Sequence, residues 1–331
     1  MSSKKILITG GAGFIGSHLA ESLLNQGDEV FVVDNLSTGS LDNIKHLDKD
    51  SKFHFTKGSV LDEELMAKLI KAKDQAYHLA AAVGVKRILG RPLDSLLTNI
   101  KGTEIVLKEA SKNNVKVLVA STSEVCGKDK PPTDGFSEDA DRTYGSVYND
   151  RWVYALSKAV DEFLALAYWR EKKLPVVVVR LFNVIGPRQS GAYGMVVPTF
   201  VKQALKGEPI TVYGDSSQAH GEQTRCFADI SDVIAALVKL MNTSEVEGQV
   251  INVGSDEEIS INQLARKVKE LVNSQSEIVK VNYREAYPEG YEDFKRRKPN
   301  LTKVKELIDY QPKVRLEESI KKIIAYQKNA S

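Results

Sequence analysis

The chain has few of the residues from which disulfide-rich or metal-binding proteins are built. It contains only two cysteines, Cys126 and Cys226, in 331 residues, too few for a disulfide framework or a zinc knuckle. Its five histidines are scattered along the chain and lack the spacing of metal ligands. We therefore expect a reducing, cytoplasmic location and no bound metal.

Long apolar runs and a strong charge imbalance are also missing. The longest apolar run, Pro175–Val179, is far shorter than the roughly 20 residues of a membrane span and fits a buried strand. Lys4 and Lys5 precede an apolar run, as in a signal peptide, but a glycine turn interrupts that run after Thr9. A net charge of +2 gives no general attraction to nucleic acid or to an anionic membrane, so neither is expected as a partner.

A short apolar strand, a glycine turn and a helical pattern follow one another at the start of the chain. Gly10, Gly13 and Gly16 separate the apolar run Ile6–Ile8 from apolar residues at helical spacing. Glycines let the backbone approach a pyrophosphate, and a helix N-terminus offers free N–H groups to phosphates. About 20 residues later Asp34 ends a second predicted strand, where a carboxylate can bind the adenine ribose and disfavours a 2′-phosphate. The pattern predicts an NAD site rather than an NADP site; an ordinary glycine turn is the alternative.

Short apolar strands alternate with longer amphipathic helices in the first half of the chain. This order predicts a parallel sheet with helices on both faces and ligands at the carboxyl ends of the strands. The predicted strands are Ile6–Thr9, Glu29–Val33, Lys52–Thr56, Gln75–Leu79, Val115–Ser121 and Val176–Leu181. The predicted helices are Phe14–Gln26, Glu63–Lys71, Leu93–Asn113 and Tyr148–Lys172.

After Gly186 the alternation loosens, and a helix at Ser260 is indicated by the capping-box pair Ser260 and Gln263. Further elements are predicted at Val197–Lys206, Ile210–Tyr213, Asp229–Met241, Val250–Val253, Thr302–Ile308 and Leu316–Gln327. We predict an α/β fold with a Rossmann-type doubly wound parallel sheet. Residues 1–182 form the cofactor domain, to which residues 226–254 return. Residues 183–225 and 255–331 form a smaller mixed α/β substrate lobe.

Tyr154 and Lys158 are four residues apart, so on a helix both side chains lie on one face. A nearby ammonium lowers the pKa of a phenol, which could then remove a hydroxyl proton while hydride leaves the same carbon. Two further pairs have this spacing, Tyr168/Lys172 and Tyr291/Lys295, and a solvated helix face is the alternative for each. Only Tyr154 follows the predicted strand that ends in Ser121-Thr122-Ser123 by about 30 residues, where hydroxyls beside the same pocket could complete a proton-transfer set.

The chain resembles the extended short-chain dehydrogenases/reductases of the nucleotide-sugar epimerase, dehydratase and decarboxylase type. The resemblance covers nearly the whole length. The motifs that carry it are TGGAGFIGSHL, HLAAAVGV, STSEV, YALSK, RLFNVIGPRQ, TRCFADISDV, INVGS and EGYEDFKRRKP.

The resemblance implies NAD as the cofactor and a UDP-sugar as the substrate. It implies a cofactor site of Gly10, Gly13, Phe14, Ile15, Gly16, Asp34, Asn35, Ser59, Val60, Leu79, Ala80, Ala81, Asn99, Tyr154 and Lys158. It implies a catalytic set of Tyr154 as base, Lys158 on the nicotinamide ribose, Thr122 at the sugar O4, Ser123 and Glu124. It implies substrate contacts from Val85, Lys86, Asn183, Arg188, Val197, Arg225 and Arg297.

Two positions depart from the family pattern, which often has Asp in place of Ser59 and Tyr in place of Cys126. Arg180 lies at the end of an apolar strand and is interpreted as a paired structural charge. Arg188, Arg225 and Arg297 are candidates to grip a phosphate or carboxylate, with a surface charge as the alternative reading.

All catalytic readings begin with oxidation of the sugar at C4, and they differ in the fate of the 4-keto sugar. Residues Ala82–Val85 and Gly186–Gln189 resemble UDP-sugar 4-epimerases, which is the favoured reading. Glu124 and Arg297 resemble UDP-glucuronate decarboxylases, the alternative, in which loss of CO₂ yields UDP-xylose or a UDP-4-keto-pentose. A dehydratase and a non-catalytic dinucleotide sensor are less favoured. The family resemblance also implies tight NAD retention and a homodimer.

Overall fold

The computed structural model describes residues 3–128, 133–191, 194–215, 220–286 and 293–330, apart from the side chains of residues 85–87 and 330. The strands are β1 (Lys5–Thr9), β2 (Glu29–Asp34), β3 (Phe53–Lys57), β4 (Gln75–His78), β5 (Lys116–Thr122), β6 (Val176–Leu181), β7 (Val184–Ile185), β8 (Ile210–Gly214), β9 (Thr224–Cys226), β10 (Ala228–Asp229), β11 (Gln249–Val253), β12 (Glu258–Ser260), β13 (Ile278–Asn282) and β14 (Arg296–Arg297).

Helices connect these strands, and four short 3₁₀ turns accompany them. The helices are α1 (Phe14–Asn25), α2 (Glu63–Ile70), α3 (Val85–Gly90), α4 (Pro92–Asn113), α5 (Val153–Lys172), α6 (Val196–Lys206), α7 (Ile230–Met241), α8 (Ile261–Val272), α9 (Tyr283–Ala286), α10 (Thr302–Ile308) and α11 (Leu316–Ala330). The 3₁₀ turns are Leu41–Asn43, Lys45–Leu47, Ser123–Cys126 and Asp150–Trp152.

Seven parallel strands form the central sheet, in the order β11-β6-β5-β4-β1-β2-β3. Its strands are apolar on both faces because helices cover both. On one face β-strand side chains pack with α1, α7 and α10, and on the other with α2, α4 and α5. The strand order reverses between β1 and β4, where a crevice opens at the carboxyl ends of the strands. The predicted Rossmann-type sheet is confirmed.

A second core lies outside this sheet. Apolar residues of α6, β8, α8 and α11 form it, with Leu264, Val268 and Ile320 fully buried. Three small sheets border it: β10-β7, β12-β9-β14 and β13-β8. In the middle one Arg297 of β14 lies beside Arg225 of β9.

The structure differs from the predicted organisation in several places. The predicted substrate lobe includes residues 301–310, but Leu301, Val304 and Ile308 pack in the first core against α7 and β11. The helix predicted from Tyr148 begins at Val153, after the 3₁₀ turn Asp150–Trp152. The very short strands β7, β9, β10, β12 and β14 were not predicted, because two or three residues carry no readable period.

The predicted capping box at the start of α8 is confirmed. The Ser260 hydroxyl accepts the Gln263 N–H at 3.2 Å and the Gln263 side chain accepts the Ser260 N–H at 3.0 Å, which completes the capping box. Both cysteines are free and buried, and burial raises the pKa of the Cys126 thiol to about 11. Among the described residues, no helix has the length and apolarity of a membrane span, and no three His, Cys, Asp or Glu side chains group as metal ligands.

A buried carboxylate joins α5 to the sheet. Arg180 of β6 donates to both oxygens of Glu162, at 2.9 and 3.0 Å, and Ser121 of β5 donates at 2.6 Å. Arg142 adds a fourth hydrogen bond at 2.7 Å. These guanidinium groups hold the pKa of Glu162 below its usual value although burial opposes them. The interpretation of Arg180 as a paired structural charge is confirmed, and the pair sets the position of α5 over β5 and β6.

We predict that Glu162→Gln lowers the free energy of unfolding by about 3–5 kcal/mol, because it leaves two guanidinium groups without a carboxylate in the interior. Urea denaturation followed by circular dichroism measures the change. Glu171→Gln, on the exposed end of the same helix, is the matched control and should change stability by less than about 0.5 kcal/mol. Equal stabilities of the two variants would contradict the assigned role of Glu162.

Candidate functional site

A cavity of about 670 Å³ opens at the carboxyl ends of β1, β2, β4, β5 and β6. It contains most of the predicted site. The predicted residues that line it are Gly10, Gly13, Phe14, Ile15, Gly16, Asp34, Asn35, Val60, Leu79, Ala80, Ala81, Thr122, Ser123, Glu124, Tyr154, Asn183, Arg188 and Arg297. The structure therefore brings residues from distant parts of the chain to one edge of the sheet.

The glycine turn after β1 has no room for side chains. A Cβ on Gly10 would lie 2.8 Å from the Ala80 nitrogen, and one on Gly16 would lie 2.3 Å from the Gly10 oxygen. Gly10 also has a φ of +71°, which glycine adopts without strain. The turn leads into α1, whose first residues Phe14, Ile15 and Gly16 line the cavity. This cradle fits a pyrophosphate at a helix N-terminus.

Asp34 lies at the carboxyl end of β2 beside the glycine turn. Its two oxygens accept the N–H groups of Ala12 and Leu36, at 3.0 and 2.8 Å. Burial raises the pKa of Asp34, and the two backbone hydrogen bonds oppose that rise. A carboxylate fixed in this way has lone pairs left for ribose hydroxyls, so the cradle and Asp34 together fit the adenosine diphosphate half of NAD.

Three predicted cofactor residues are not among the described residues that line the cavity. Asn99 is buried and accepts the Ala82 N–H at 2.7 Å, so it holds the backbone next to Ala80 and Ala81. The Ser59 hydroxyl accepts the Leu61 N–H at 3.2 Å in the turn after β3. Lys158 is 2% exposed and lies behind Tyr154. Asn99 and Ser59 therefore shape the wall of the site in this structure rather than form its surface.

Tyr154 and Thr122 face each other in the cavity through a side-chain hydrogen bond. Burial raises the pKa of the Tyr154 phenol, and the carboxylates of Glu124 and Asp161 raise it further, while Thr122 lowers it. The sequence predicts that Lys158 lowers the pKa of Tyr154, whereas the pKa of Tyr154 is raised in this structure. The reason is that the Lys158 ammonium donates to Asp161 at 2.8 Å, which offsets its charge.

Glu124 lies in the 3₁₀ turn after β5, partly buried between two arginines. Arg151 donates from Nη1 to its Oε2, and Nη1 of Arg297 lies 3.7 Å from its Oε1. These arginines hold the pKa of Glu124 below its usual value although burial opposes them. Arg297 also donates to the Ser123 hydroxyl at 3.4 Å. Glu124 is therefore an ionised carboxylate in a low-dielectric wall of the cavity.

The arginine cluster extends behind this wall. The guanidinium of Arg297 lies 3.9 Å from the centre of the Phe294 ring, and Arg225 donates to Asp293 at 2.9 Å. Arg151, Arg225 and Arg297 carry three positive charges against two negative ones on Glu124 and Asp293, so one positive charge is unbalanced. Burial and the neighbouring Arg225 lower the pKa of Arg297 to about 10, and it remains protonated at neutral pH. Such a cluster attracts an anionic ligand.

The remaining predicted substrate residues are placed differently. Asn183 lines the cavity, has a φ of +42° and donates to the Cys226 carbonyl at 2.9 Å. Arg188 also lines it, but its guanidinium donates to Glu21 of α1 at 2.7 Å. Val197 is 1% exposed and packs in the second core, so its side chain does not reach the cavity. The side chains of Val85 and Lys86, like residue Tyr291, lie outside the described residues.

Sequence reasoning missed three charged residues of this site. Arg151 stands three residues before Tyr154, in a segment predicted as plain helix, and Asp161 on the same helix is given no role by the sequence analysis. Asp293 lies within the motif EGYEDFKRRKP and is also given no role. The pairs Arg151–Glu124 and Asp293–Arg225 form across elements that only the fold brings together, whereas the i,i+3 spacing of Lys158 and Asp161 on one helix is a signal that the sequence does contain.

Comparison with known proteins agrees with this geometry. The model of the NAD dependent epimerase/dehydratase family matches residues 6–254. The chain is 42% identical over 324 residues to the UDP-N-acetyl-alpha-D-glucosaminuronate decarboxylase of Bacillus cytotoxicus, covering 98% of this chain and 97% of that protein. It is 39% identical to UDP-glucuronic acid decarboxylase 1 of Xenopus tropicalis, covering 98% and 72%.

Solved structures of UDP-sugar epimerases superpose on almost the whole of this chain. UDP-glucuronic acid 4-epimerase of Bacillus cereus, in complex with UDP-glucuronic acid and NAD, superposes with a TM-score of 0.87 at 30% identity, covering 99% of this chain and all of that chain. UDP-glucose 4-epimerase of Thermotoga maritima superposes equally well, with a TM-score of 0.87 at 30% identity, covering 98% and 99%.

We predict that Gly16→Ala weakens NAD binding by about tenfold or more, because a methyl group 2.3 Å from the Gly10 oxygen must displace the turn. Mass spectrometry of the supernatant after denaturation measures the NAD(H) that each purified protein retains. Gly90→Ala is the control, since nothing lies within 4 Å of a Cβ added there. Full NAD content in the Gly16 variant would show that the turn does not hold the pyrophosphate.

Proposed function

The chain belongs to the NAD-dependent epimerase/dehydratase family, and we propose that it removes the carboxylate of a UDP-linked hexuronic acid as CO₂. The observation that carries the proposal is the partly buried Glu124, held ionised by Arg151 and Arg297 in the same cavity as Tyr154 and Thr122. The 42% identity to a UDP-sugar decarboxylase over almost the full length of both chains supports it.

The first step depends on Tyr154 and Thr122. When bound, NAD⁺ would supply the acceptor for hydride from C4 of the sugar, with the glycine turn and Asp34 holding its adenosine diphosphate half. Tyr154 takes the proton of the C4 hydroxyl, and Thr122, its hydrogen-bond partner, holds the same oxygen in place. Because burial raises the pKa of Tyr154, the phenol keeps that proton firmly and can donate a hydrogen bond to the oxygen of the resulting 4-keto sugar.

The second step depends on the charges around Glu124. A C6 carboxylate lies β to the C4 ketone, so its C5–C6 bond can break to give CO₂ and an enolate, which takes a proton at C5. Glu124 repels a second carboxylate placed beside it, so a substrate carboxylate in that position gains little by staying charged. The proton on Tyr154 stabilises the enolate oxygen. The 4-keto pentose is then either released or reduced at C4.

Substrate binding is assigned to the unbalanced positive charge of the arginine cluster. The Nε atom of Arg297 is buried and has no hydrogen-bond partner within the described part of the chain. It can donate to a phosphate or carboxylate of the substrate. Asn183 lies on the same cavity surface and is assigned to the nucleotide diphosphate or sugar.

A UDP-sugar 4-epimerase is the second candidate. The Bacillus cereus epimerase with UDP-glucuronic acid superposes over 99% of this chain, and Gln189 lines the cavity here. An epimerase has to protect the carboxylate of the keto sugar from loss and to return hydride to the opposite face. The loops Ala82–Val85 and Gly186–Gln189 favoured this reading at the level of sequence. The charges around Glu124 favour decarboxylation.

We predict that UDP-glucuronate or UDP-N-acetylglucosaminuronate yields CO₂ and a UDP-pentose, detected by NMR of the nucleotide sugar and by trapping of the gas. Tyr154→Phe should lower kcat by about 10²–10⁴-fold, because it removes the proton acceptor. Glu124→Gln should reduce CO₂ release more than it reduces oxidation at C4, which is followed by the absorbance of NADH.

The same assay separates the two candidates. A C4-inverted uronic acid without CO₂ would establish the epimerase instead, and UDP-glucose as the neutral substrate tests whether the carboxylate matters at all. The control variant Ser190→Ala changes a hydroxyl elsewhere on the cavity wall and should retain turnover within a few-fold. Unchanged turnover in Tyr154→Phe would refute the assignment of the base.

We infer that the protein forms a homodimer through α4 and α5. These helices pack against each other and leave large apolar side chains exposed on their outer side. Phe163 is 67% exposed, and Leu93, Leu97, Leu156 and Val160 accompany it. Leu164 and Ala167 are partly buried, and Leu164 packs against the core. The same pair of helices from a second copy would cover this surface as a four-helix bundle.

We predict that Phe163→Glu weakens the dimer at least tenfold, because a carboxylate in an apolar interface is costly to desolvate. Analytical ultracentrifugation over a concentration series measures the association. Gln311→Glu places the same charge in an exposed loop and should leave the association unchanged. A wild-type protein that stays monomeric at all concentrations would exclude this interface.

We also propose a cytoplasmic location. Both cysteines are free and buried rather than paired, as suits a reducing compartment. A UDP-sugar partner would be available there.

A further inference from the structure

A chain of buried polar groups runs behind the reactive face of α5. Lys158 donates to Asp161 at 2.8 Å, and neither side chain has more than 2% of its surface exposed. Thr103 of α4 faces the Asp161 carboxylate and lowers its pKa. Thr103 and His78 of β4 are joined by a hydrogen bond of 3.0 Å, and His78 and Thr9 of β1 by one of 2.8 Å. The chain thus connects the lysine to the strand before the glycine turn.

His78 is a neutral ring between two hydroxyl groups. Burial and the charge of Lys158 lower its pKa to about 3, so one ring nitrogen donates and the other accepts. At the other end, Oδ2 of Asp161 accepts from Lys158, and Oδ1 is buried with no hydrogen-bond partner within the described part of the chain.

The charged groups near Tyr154 come from four elements. They are Lys158 and Asp161 on α5, Glu124 after β5, Arg297 on β14, and Arg151 in the turn before α5. Glu124 raises the pKa of Tyr154 more than Asp161 does, but Glu124 also contacts Arg151 and Arg297 and lines the cavity. Asp161 is paired with Lys158 on the same helix, with Glu162 as an anionic neighbour. A substitution of Asp161 therefore changes the field at Tyr154 without changing a described residue of the cavity lining.

We propose that Asp161 is a positioning residue that holds the Lys158 ammonium and, by offsetting its charge, sets the pH at which Tyr154 exchanges its proton. With Asp161 ionised, the lysine has a fixed rotamer behind the phenol but attracts a tyrosinate weakly. Without that carboxylate, the ammonium is unbalanced and favours the tyrosinate. Asp161 thus raises the proton affinity of Tyr154, so that the tyrosinate takes the C4 hydroxyl proton strongly and the resulting phenol donates to the enolate oxygen. This inference rests on the proposed role of Tyr154 as the base.

Tyrosine labelled with ¹³C at the ring Cζ provides the test. The resonance of Tyr154 is identified by its loss in Tyr154→Phe, and its ionisation is followed over pH in the NAD-loaded protein. We expect Asp161→Asn to move the midpoint of Tyr154 down by on the order of one pH unit, a tenfold change in proton affinity. The acidic limb of kcat/KM should move in the same direction.

Glu171→Gln is the control, because it removes the same charge from the exposed end of the same helix and should leave the midpoint in place. Asp161→Ser is a second variant without the charge, for use if the asparagine variant does not fold. An unmoved or raised midpoint in the folded variant overturns the proposal. The resonance reports proton affinity whether or not any sugar is converted, so failure of the proposed function would be recognised separately by the absence of CO₂.

Discussion

The four hydrogen bonds on the Glu162 carboxylate are the interaction on which the site depends. Ser121, which Glu162 accepts from, directly precedes Thr122, and Tyr154 lies about two helical turns before Glu162 on α5. Phenol and hydroxyl therefore meet because one buried carboxylate fixes the helix against two strands. Hydrogen bonds to charged groups have strict geometry. The bonds on Glu162 therefore fix the position of α5 over the sheet more precisely than the packing of the surrounding valines and alanines does.

Near the Glu162 carboxylate several charged side chains lie largely out of contact with solvent, and most of them are paired with a side chain of opposite charge. Lys158 has Asp161, Glu124 has Arg151, and Arg225 has Asp293. Desolvation is the largest influence on the pKa of the Tyr154 phenol, and the carboxylates of Glu124 and Asp161 raise that pKa further. A protein of this kind controls proton transfer through the balance of a few buried ions, and family motifs alone do not describe that balance.

The sheet and the glycine turn of the cofactor site could be predicted from the sequence. Its strands are continuous apolar runs such as Val176–Val179, and the three glycines stand where a turn with no free volume requires them. The partners of the catalytic residues could not be predicted in this way. Lys158 turning to Asp161, and Arg151 turning to Glu124, depend on side-chain directions that only the packed helix and loop define. Residues such as Val197 mislead for the same reason, because a family motif does not say which way an apolar side chain points.

Both cysteine thiols of the protein are buried, so little thiol is accessible to reagents at the protein surface. Cys126 and Cys226 are the only cysteines of the chain, and burial raises the pKa of the second to about 12. Thiol reagents act on the exposed thiolate, so native protein should react slowly with maleimides. A single cysteine introduced at an exposed position would then accept a fluorophore or spin label selectively, without prior removal of the natural residues, and could report distances across the molecule during turnover.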